Sequence, residues 1–290
     1  MLSDDSLVQS LADCRVGIIG LGLIGGSMAL ALRGHCASIA GYDGNEAVVE
    51  QALDGGVIDC PLDLSGSTQT VDLVIPAIPV RSIIALMPKL PAMLPGRFHV
   101  IDLGSTKSLI VKAMNALPDR IAPLGGHPMA GKEKSGLEAA ESTLFRDRVF
   151  VFTPVSRTCP ETLEIGQQLA AAIGSRPIIL DPERHDQLAA VISHVPHLVS
   201  SSIVDAAEGT HDEMAWMMAS SGFRDSTRLA AAELTRQLDV IMSNRAAILD
   251  DIERVVRSLQ VMAELIELGD EAGLRAKLEI IRKRRAGMYQ

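Results

Sequence analysis

The sequence predicts an α/β domain with a doubly wound sheet, followed by an all-α domain. From residue 15 to about residue 180, short apolar runs alternate with helical patterns, which is typical of a parallel sheet with helices on both faces. Beyond Asp181 the strand signals stop, and Pro182 opens a region whose apolar residues recur at helical spacing. A chain of 290 residues is long enough for two domains. We therefore assign residues 1–180 to the first domain and residues 181–290 to the second.

Six short apolar runs bounded by turn residues are the predicted strands of the first domain. They comprise residues 16–19, 39–42, 73–75, 99–101, 149–152 and 177–180. The clearest amphipathic helices between them cover residues 82–90 and 107–116. In the second domain residues 234–268 form one long helical pattern, and a helix of that length usually packs against several partners. A second subunit would supply some of these partners, so we expect a homodimer.

Charge and composition exclude several classes of partner. The formal net charge is −9, and Lys and Arg concentrate only at residues 282–285, so no nucleic-acid surface is indicated. The sequence has neither a basic, apolar leader nor an uncharged apolar run of about 18 residues, which indicates a cytoplasmic protein with no membrane partner. The four cysteines are scattered without a C-x-x-C pair, so neither disulfides nor a metal site is expected.

The first predicted strand runs into the pattern G-x-G-x-x-G, formed by Gly20, Gly22 and Gly25. Between a strand and a helix, this pattern predicts a Rossmann-type dinucleotide-binding domain. The first glycine permits a tight turn, the second lets the backbone approach the pyrophosphate, and the third lets helix and strand pack closely. The helix N-terminus, with Leu23 and Ile24, then meets the phosphate charge. A tight turn in another kind of α/β protein would give the same pattern, so the motif needs support.

Asp43 supplies that support at the end of the next predicted strand. An acid at this position accepts hydrogen bonds from the adenosine ribose hydroxyls and would repel a 2′-phosphate. Neither Gly44 nor Asn45 is an arginine that could neutralise such a phosphate. We therefore expect NAD as the cofactor rather than NADP, while an ordinary turn or capping role for Asp43 stays open.

Ser105 lies in Asp102-Leu-Gly-Ser-Thr-Lys107, directly after the predicted strand at residues 99–101. This is the carboxyl edge of the sheet, where ligands of such folds bind. Ser105 could hydrogen-bond a substrate hydroxyl there. The alternative is a helix N-cap, since serine before an amphipathic helix is common in that role.

His127 and Glu133 lie in a segment rich in glycine and proline, which predicts a rigid loop over residues 125–133. An imidazole titrates near neutrality, so it can remove the proton of a hydroxyl group while hydride leaves the carbon that bears this hydroxyl. His127 is therefore a candidate general base. A purely structural histidine is the alternative.

His194 and His197 are three positions apart in Ile192-Ser-His-Val-Pro-His, which places them on one helix face. Pro196 removes a helical hydrogen bond, and the kink expected there would open the backbone toward a substrate cavity. A metal would need further ligands at suitable spacing, and the sequence offers none. Both histidines are therefore candidate substrate-binding residues.

Arg224 and Arg228 lie in Gly222-Phe-Arg-Asp-Ser-Thr-Arg, a predicted loop that runs into a helix. A guanidinium group binds a carboxylate through paired hydrogen bonds, so either arginine could anchor an acidic substrate. For each of them a surface salt bridge is the alternative.

Together these motifs resemble those of the prephenate/arogenate (cyclohexadienyl) dehydrogenase family of tyrosine biosynthesis. The resemblance runs from about residue 16 into the C-terminal helices and rests on six ordered motifs: V-G-I-I-G-L-G-L-I-G-G-S, G-Y-D, D-L-G-S-T-K, G-G-H-P-M-A-G-K-E-K-S-G, S-H-V-P-H and G-F-R-D-S-T-R. It implies a Rossmann domain followed by a helical dimerisation domain. The implied reaction is NAD-dependent oxidative decarboxylation of prephenate to 4-hydroxyphenylpyruvate, of arogenate to tyrosine, or of both.

The resemblance also implies a role for each candidate residue. His127 would take the proton of the substrate's ring hydroxyl while hydride passes to the nicotinamide, and Ser105 would hold the same hydroxyl. Arg228 would pair with a substrate carboxylate, with Arg224 as a weaker candidate. The remaining pocket-lining residues would be Glu133, His194 and His197.

Two other functions fit the same two-part layout. A β-hydroxyacid-type dehydrogenase would resemble its relatives in using a lysine carried on a helix, but no lysine occurs between Lys134 and Lys277. A non-catalytic NAD-binding dimer would not need His127, Ser105 and Arg228 together. The motifs therefore favour the dehydrogenase to which they bear the resemblance.

Overall fold

The computed structural model describes residues 7–66 and 68–288, as a sheet-containing half followed by a helical half. The strands are β1 (Arg15–Ile19), β2 (Ser38–Tyr42), β3 (Cys60–Pro61), β4 (Leu73–Pro76), β5 (Phe98–Ile101), β6 (Ile121–Pro128), β7 (Val149–Thr153) and β8 (Arg176–Ile179). The helices of the first half are α1 (Leu23–Leu32), α2 (Glu46–Asp54), α3 (Val80–Leu86), α4 (Leu90–Met93), α5 (Ser108–Met114) and α6 (Pro160–Ala172). The helical half contains α7 (Pro182–Ala189), α8 (Val195–Glu208), α9 (Glu213–Met218), α10 (Ser221–Thr227), α11 (Leu234–Ser243), α12 (Arg245–Glu267) and α13 (Glu271–Ala286).

The described strands form one eight-stranded sheet in the order β3-β2-β1-β4-β5-β6-β7-β8. Neighbouring strands from β3 to β6 are parallel, but β7 is antiparallel to β6, and β8 is parallel to β7. The doubly wound fold is confirmed, and the pairing of β6 with β7 is the antiparallel step in an otherwise parallel sheet of the described strands. Because β7 runs back along β6, Phe150 near its start lies opposite Pro128 at the end of β6.

The core consists of two main apolar clusters, one on each face of the sheet. Along β4, Leu73 and Ile75 pack into one cluster while Val74 packs into the other, as the alternation of side chains along a strand requires. Helices α1 and α6 cover the first face, and α3 and α5 cover the second. Both faces of the sheet are therefore buried, which explains why the sequences of the strands are continuous apolar runs.

Strand β6 is the main element that the sequence prediction missed. Its prolines and glycines suggested a loop over residues 125–133, but residues up to Pro128 belong to the strand. The glycines are needed because a Cβ on Gly126 would lie 2.6 Å from the carbonyl oxygen of Asp102, and one on Gly125 would lie 2.1 Å from Oγ1 of Thr153. His127 therefore sits at the end of a central strand, and its placement in a loop is wrong.

The prediction of one continuous helix over residues 234–268 is also wrong, because Asn244 separates α11 from α12. Its backbone leaves helical geometry, with φ −124° and ψ 33°, and its side chain donates a hydrogen bond to the carbonyl oxygen of Asp186 at 2.8 Å. The interruption therefore coincides with a hydrogen bond to the backbone of α7. The predicted loop at residues 222–228 is helical instead, since α10 runs directly into a 3₁₀ turn, Arg228–Ala231.

The stretch Pro182–Glu208 is helical throughout, with a π-helical segment, Ala190–His194, between α7 and α8. The expected irregularity therefore lies just before Pro196, in wide turns of a kind frequent at functional sites. By length and composition this stretch of 27 residues could span a membrane, although the sequence analysis expected no such segment. Its buried face carries His185, His194 and His197, which make polar contacts inside the protein.

Polar contacts join the two halves around the carboxyl edge of the sheet. Thr106 donates a hydrogen bond to the hydroxyl of Ser243 at 2.9 Å, in a buried position. Nε of Arg81 at the start of α3 pairs with Asp239 of α11 at 2.8 Å. The functional candidates lie along this junction.

Candidate active site

The glycine pattern forms the turn between β1 and α1. Gly20 has φ +95°, in the region that favours glycine. A Cβ on Gly25 would lie 1.8 Å from the carbonyl oxygen of Gly20, so α1 packs this closely only without a side chain there. A Cβ on Gly22 would meet no atom within 4 Å, which leaves room for a pyrophosphate. Because α1 begins at Leu23, the N–H groups of Leu23 and Ile24 have no partner within the helix and are available to a phosphate.

Asp43 lies beside this turn, at the end of β2. Its Oδ2 accepts a hydrogen bond from the N–H of Leu21 at 2.9 Å, and its Oδ1 accepts one from Asn45 at 3.0 Å. It therefore has the turn role that the sequence left open, but a carboxylate offers about four lone-pair sites and keeps capacity for ribose hydroxyls. A cavity of about 930 Å³, lined by Gly20, Gly22 and Asp43, opens at this edge. The open space, helix N-terminus and carboxylate together fit a dinucleotide.

The loop after β5 is fixed by a buried ion pair between Asp102 and Lys107, both fully inaccessible to solvent. Nζ of Lys107 also donates to the carbonyl oxygen of Gly126 at 2.6 Å, while the N–H of Gly126 donates to Asp102 at 3.1 Å. The pair thereby ties the loop that holds Ser105 to the strand that holds His127.

Ser105 is half-buried in this loop, and it does not cap α5. The carboxylate of Asp186, from α7, accepts instead from two backbone N–H groups at the start of α5. These are the N–H of Lys107, just before the helix, at 2.7 Å and that of Ser108, its first residue, at 2.9 Å. The alternative interpretation of Ser105 as an N-cap is therefore wrong. Its hydroxyl is left to the site.

His127 is half-buried, and its Nδ1 lies 2.8 Å from Nε2 of His185. Burial, followed by the nearby His185, Lys107 and His194, holds the pKa of His127 well below the ordinary 6.5. The ring is therefore neutral at physiological pH, as a proton acceptor must be. Among the described residues Nε2 of His127 has no hydrogen-bond partner.

His194 and His197 are both buried but contact different elements. Nδ1 of His194 lies 3.2 Å from the amide nitrogen of Asn244. Burial is the main reason that the pKa of His194 falls to about 4, with His185 acting in the same direction and Asp186 opposing. His197 donates from Nδ1 to the carbonyl oxygen of Leu229 at 2.8 Å, and so holds the turn that begins with Arg228.

Arg228 and Glu133 form an ion pair with each other, with an Nη1–Oε1 distance of 2.6 Å. The two side chains are 58% and 74% exposed, so the pair is accessible to a charged ligand. Arg224 differs, since its guanidinium is 79% exposed and pairs with the neighbouring Asp225 at 3.5 Å. The structure thus brings Arg228 together with another predicted site residue. Within residues 7–66 and 68–288, the one ion pair of Arg224 is the surface pair that was its alternative.

Four residues of the junction were missed by the sequence analysis as members of the site: Asp102, Lys107, His185 and Asp186. The first two stand in the quoted D-L-G-S-T-K motif, where a lysine following a buried strand was a usable signal. His185 and Asp186 stand in the first turns of α7, and no local pattern distinguishes them from surface residues of a helix.

These features define the class of the protein, a dinucleotide-dependent dehydrogenase with a helical domain packed at the carboxyl edge of its sheet. Two family models match the chain, "Prephenate dehydrogenase, nucleotide-binding domain" over residues 28–179 and "Prephenate dehydrogenase, dimerization domain" over residues 181–280. The chain belongs to the prephenate dehydrogenase family. The resemblance seen in the motifs is confirmed, and the β-hydroxyacid-type alternative is wrong.

Individual relatives agree with the family assignment. The prephenate dehydrogenase of Bacillus subtilis is 33% identical over 267 residues, which is 89% of this chain and 71% of that protein. The structure of prephenate dehydrogenase from Aquifex aeolicus with hydroxyphenyl propionate and NAD+ has a TM-score of 0.89 and 31% identity, covering 94% of this chain and 98% of that chain. Synechocystis arogenate dehydrogenase has a TM-score of 0.83 and 29% identity, covering 94% and 99%.

Proposed function

We propose that the protein catalyses NAD-dependent oxidative decarboxylation of prephenate, of arogenate or of both. The observation that carries the proposal is the state of His127, a neutral imidazole at the end of β6 with one nitrogen bonded to His185 and the other left for a ligand. Two relatives named for prephenate and one named for arogenate support keeping both substrates in the proposal. These substrates differ only in a keto or an amino group on the side chain.

In this proposal His127 accepts the proton of the ring hydroxyl at Nε2, and Ser105 hydrogen-bonds the same oxygen. The nicotinamide of the bound cofactor supplies the hydride acceptor for the carbon that bears the hydroxyl. The bond to the ring carboxylate then breaks, its electron pair completes the aromatic ring, and carbon dioxide leaves. The ring oxygen takes back the proton from His127, which gives the phenol of the product and restores the neutral base. Because aromatisation drives the reaction, the protein chiefly has to orient the substrate and provide one base.

The cofactor would be held by Gly20, Gly22, Leu23, Ile24 and Gly25 at the phosphates and by Asp43 at the ribose. NAD is favoured over NADP because the carboxylate of Asp43 would repel a 2′-phosphate. An NAD complex of the Aquifex aeolicus relative supports this choice.

The substrate would be anchored by Arg228, with His194, His197 and Glu133 lining the pocket. Asn244 donates to Nδ1 of His194, which leaves Nε2–H of that neutral ring as a donor. A substrate carboxylate would compete with Glu133 for Arg228. Arg224 is the weaker anchor, since it pairs with its own neighbour.

The assembly would be a cytoplasmic homodimer, divided into a nucleotide-binding domain at residues 1–180 and a substrate-binding and dimerisation domain at 181–290. The match of residues 181–280 to a dimerisation-domain model supports this. So do the large apolar side chains that α12 and α13 expose in a single chain, among them Leu249, Leu259, Ile266 and Ile280.

The test is to supply prephenate and arogenate separately, each with NAD and with NADP, and to follow reduced nicotinamide by absorbance. We expect turnover of at least one substrate with NAD and a much lower kcat/KM with NADP. His127→Asn should lower kcat on the order of 100- to 10,000-fold, the usual contribution of a general base. The exposed His35 provides the control, because His35→Asn should keep the normal rate.

The absence of turnover with both substrates would overturn the proposed function. Near-normal turnover by His127→Asn would overturn only the assignment of the base. Equal use of NADP would show that Asp43 does not discriminate between the cofactors.

A further inference from the structure

Three side chains form a continuous hydrogen-bonded chain that begins at His127. Its Nδ1 lies 2.8 Å from Nε2 of His185, and Nδ1 of His185 lies 2.8 Å from Oδ1 of Asp186. The two oxygens of Asp186 also accept from the backbone N–H groups of Lys107 and Ser108, at 2.7 and 2.9 Å. His185 and Asp186 are both buried. The chain therefore runs from the proposed base to the N-terminus of α5.

The position of each proton in this hydrogen-bonded series follows from the charge of Asp186. Burial alone would raise the pKa of Asp186, but hydrogen bonds from His185, Ser108 and Lys107 outweigh it and lower that pKa. Asp186 is therefore an anion that only accepts hydrogen bonds, so Nδ1 of His185 carries a proton. A neutral ring carries one proton, so with that proton on Nδ1 the Nε2 of His185 is an acceptor.

His127 must then donate from Nδ1, because a hydrogen bond between two ring nitrogens needs one proton. We propose that His185 and Asp186 are positioning residues, which fix His127 in the tautomer whose Nε2 is bare and faces the substrate. A carboxylate orients the imidazole of Ser-His-Asp triads in a similar way, here with a second imidazole between them. The inference rests on the proposed function, in which Nε2 of His127 is the base.

The surroundings of His127 make this tautomer choice matter. The titratable groups that face it are His185 from α7, Lys107 from the loop before α5 and His194 from the π-helical segment, and they combine with burial to keep the ring neutral. A neutral imidazole carries its one proton on either nitrogen. Without His185, a share of the molecules would hold the proton on Nε2, where it blocks the reaction.

The direct test is ¹⁵N NMR of histidine-labelled protein at a pH above the ordinary histidine range, with His127→Asn used to assign the signals of His127. We expect the wild type to show a protonated Nδ1 and a bare Nε2 at His127. In His185→Phe, we expect a mixture of the two tautomers. A protonated Nε2 in the wild type would overturn the inference.

The kinetic test compares His185→Phe with His185→Gln. Phe offers no acceptor, so kcat should fall about 10- to 100-fold, by analogy with the loss of partners that orient metal-binding histidines. The carbonyl oxygen of Gln can accept from Nδ1 of His127 and should restore most of the rate. KM should change little in both variants, because neither substitution removes a proposed substrate contact.

His99 provides a matched control for the loss of a buried histidine. It is fully buried and makes two ring contacts, with the hydroxyl of Thr162 at 2.9 Å and the carbonyl oxygen of Val8 at 2.8 Å, away from the proposed site. His99→Phe should therefore lower the melting temperature while keeping kcat. An equal fall of kcat in His99→Phe and His185→Phe, or equal rates for the Phe and Gln variants of His185, would overturn the inference.

The two proposals fail separately. If the protein turns over neither substrate, the proposed function fails, while the NMR measurement still determines the tautomer of His127 in the wild type. If turnover is normal and His185→Phe keeps the full rate, the positioning role fails and the proposed function stands.

Discussion

The glycine turn, residues 20–25, is built from neighbours in the sequence. The junction of the two halves around His127, His185 and Asp186 is built from residues far apart in the sequence. At the turn, Gly20, Gly22 and Gly25 are neighbours in the chain, and their spacing already dictates their structure. At the junction, His127 and His185 are 58 positions apart and meet only because β7 runs back along β6 and α7 folds over its end. Local sequence therefore encodes cofactor binding, whereas the proposed chemistry depends on how the two halves pack.

This difference predicts that substitutions at the junction should affect the whole fold more than substitutions at the turn. The junction contains buried charges and neutral histidines, each of which has to be compensated by a partner. The turn, residues 20–25, contains no charged side chain, and its Gly22 borders open space.

The largest effect is expected for Lys107→Met, which leaves Asp102 as a buried carboxylate without its cation. Removing one partner of a buried pair typically costs about 3–5 kcal/mol, which urea unfolding would measure. Arg275→Met breaks an exposed pair with Glu271 and should change stability very little. A similar small loss in both variants would show that the junction is no more sensitive than the surface.

The second-largest effect is expected on the stability of the fold at acidic pH. Because the pKa of His194 is lowered from 6.5 to about 4, unfolding lets its ring bind a proton that the folded protein excludes. Stability from this group is complete above pH 6.5 and is lost as pH falls toward 4, by up to about 3 kcal/mol. His194→Gln keeps an acceptor for Asn244 and should flatten the decline of the unfolding free energy over that range. Parallel curves for the two proteins would contradict the assignment.

The smallest effects should occur at the glycine turn, where two substitutions separate stability from binding. In Gly25→Ala the added methyl group would meet the carbonyl oxygen of Gly20, so the turn has to shift and the substitution should cost about 1–3 kcal/mol. Gly22→Ala places its methyl group in open space, so the melting temperature should hold while affinity for NAD falls in calorimetric titration. Unchanged affinity in Gly22→Ala would remove the turn from the proposed cofactor site.

The sequence was sufficient for the parts that depend on local pattern. Buried strands such as β1 and β4 appear as apolar runs because both faces of the sheet are covered, and Pro182 marks the start of α7 as expected. It was insufficient for β6, where glycines required by close packing resemble a loop. It was also insufficient for Asn244, where the helix breaks at a residue that bonds a carbonyl group distant in sequence.

The site divides in the same way. His127 could be found because it stands in a distinctive motif, but its partner His185 could not, since no single-sequence pattern reports that α7 returns to the end of β6. Likewise, the sequence suggested Ser105 as the cap of α5, but the cap is Asp186, which comes from a distant part of the sequence.

The capping of α5 by Asp186 has a consequence for modular exchange between related enzymes. The residue belongs to the helical half, yet it finishes a helix of the nucleotide-binding half and ends the chain of hydrogen bonds to His127. A chimera that joins this nucleotide-binding half to a foreign helical half would inherit the cofactor cleft intact. Its His127 would be held in the base form only if the foreign half has a histidine and a carboxylate in the first turns of its first helix, as α7 does here.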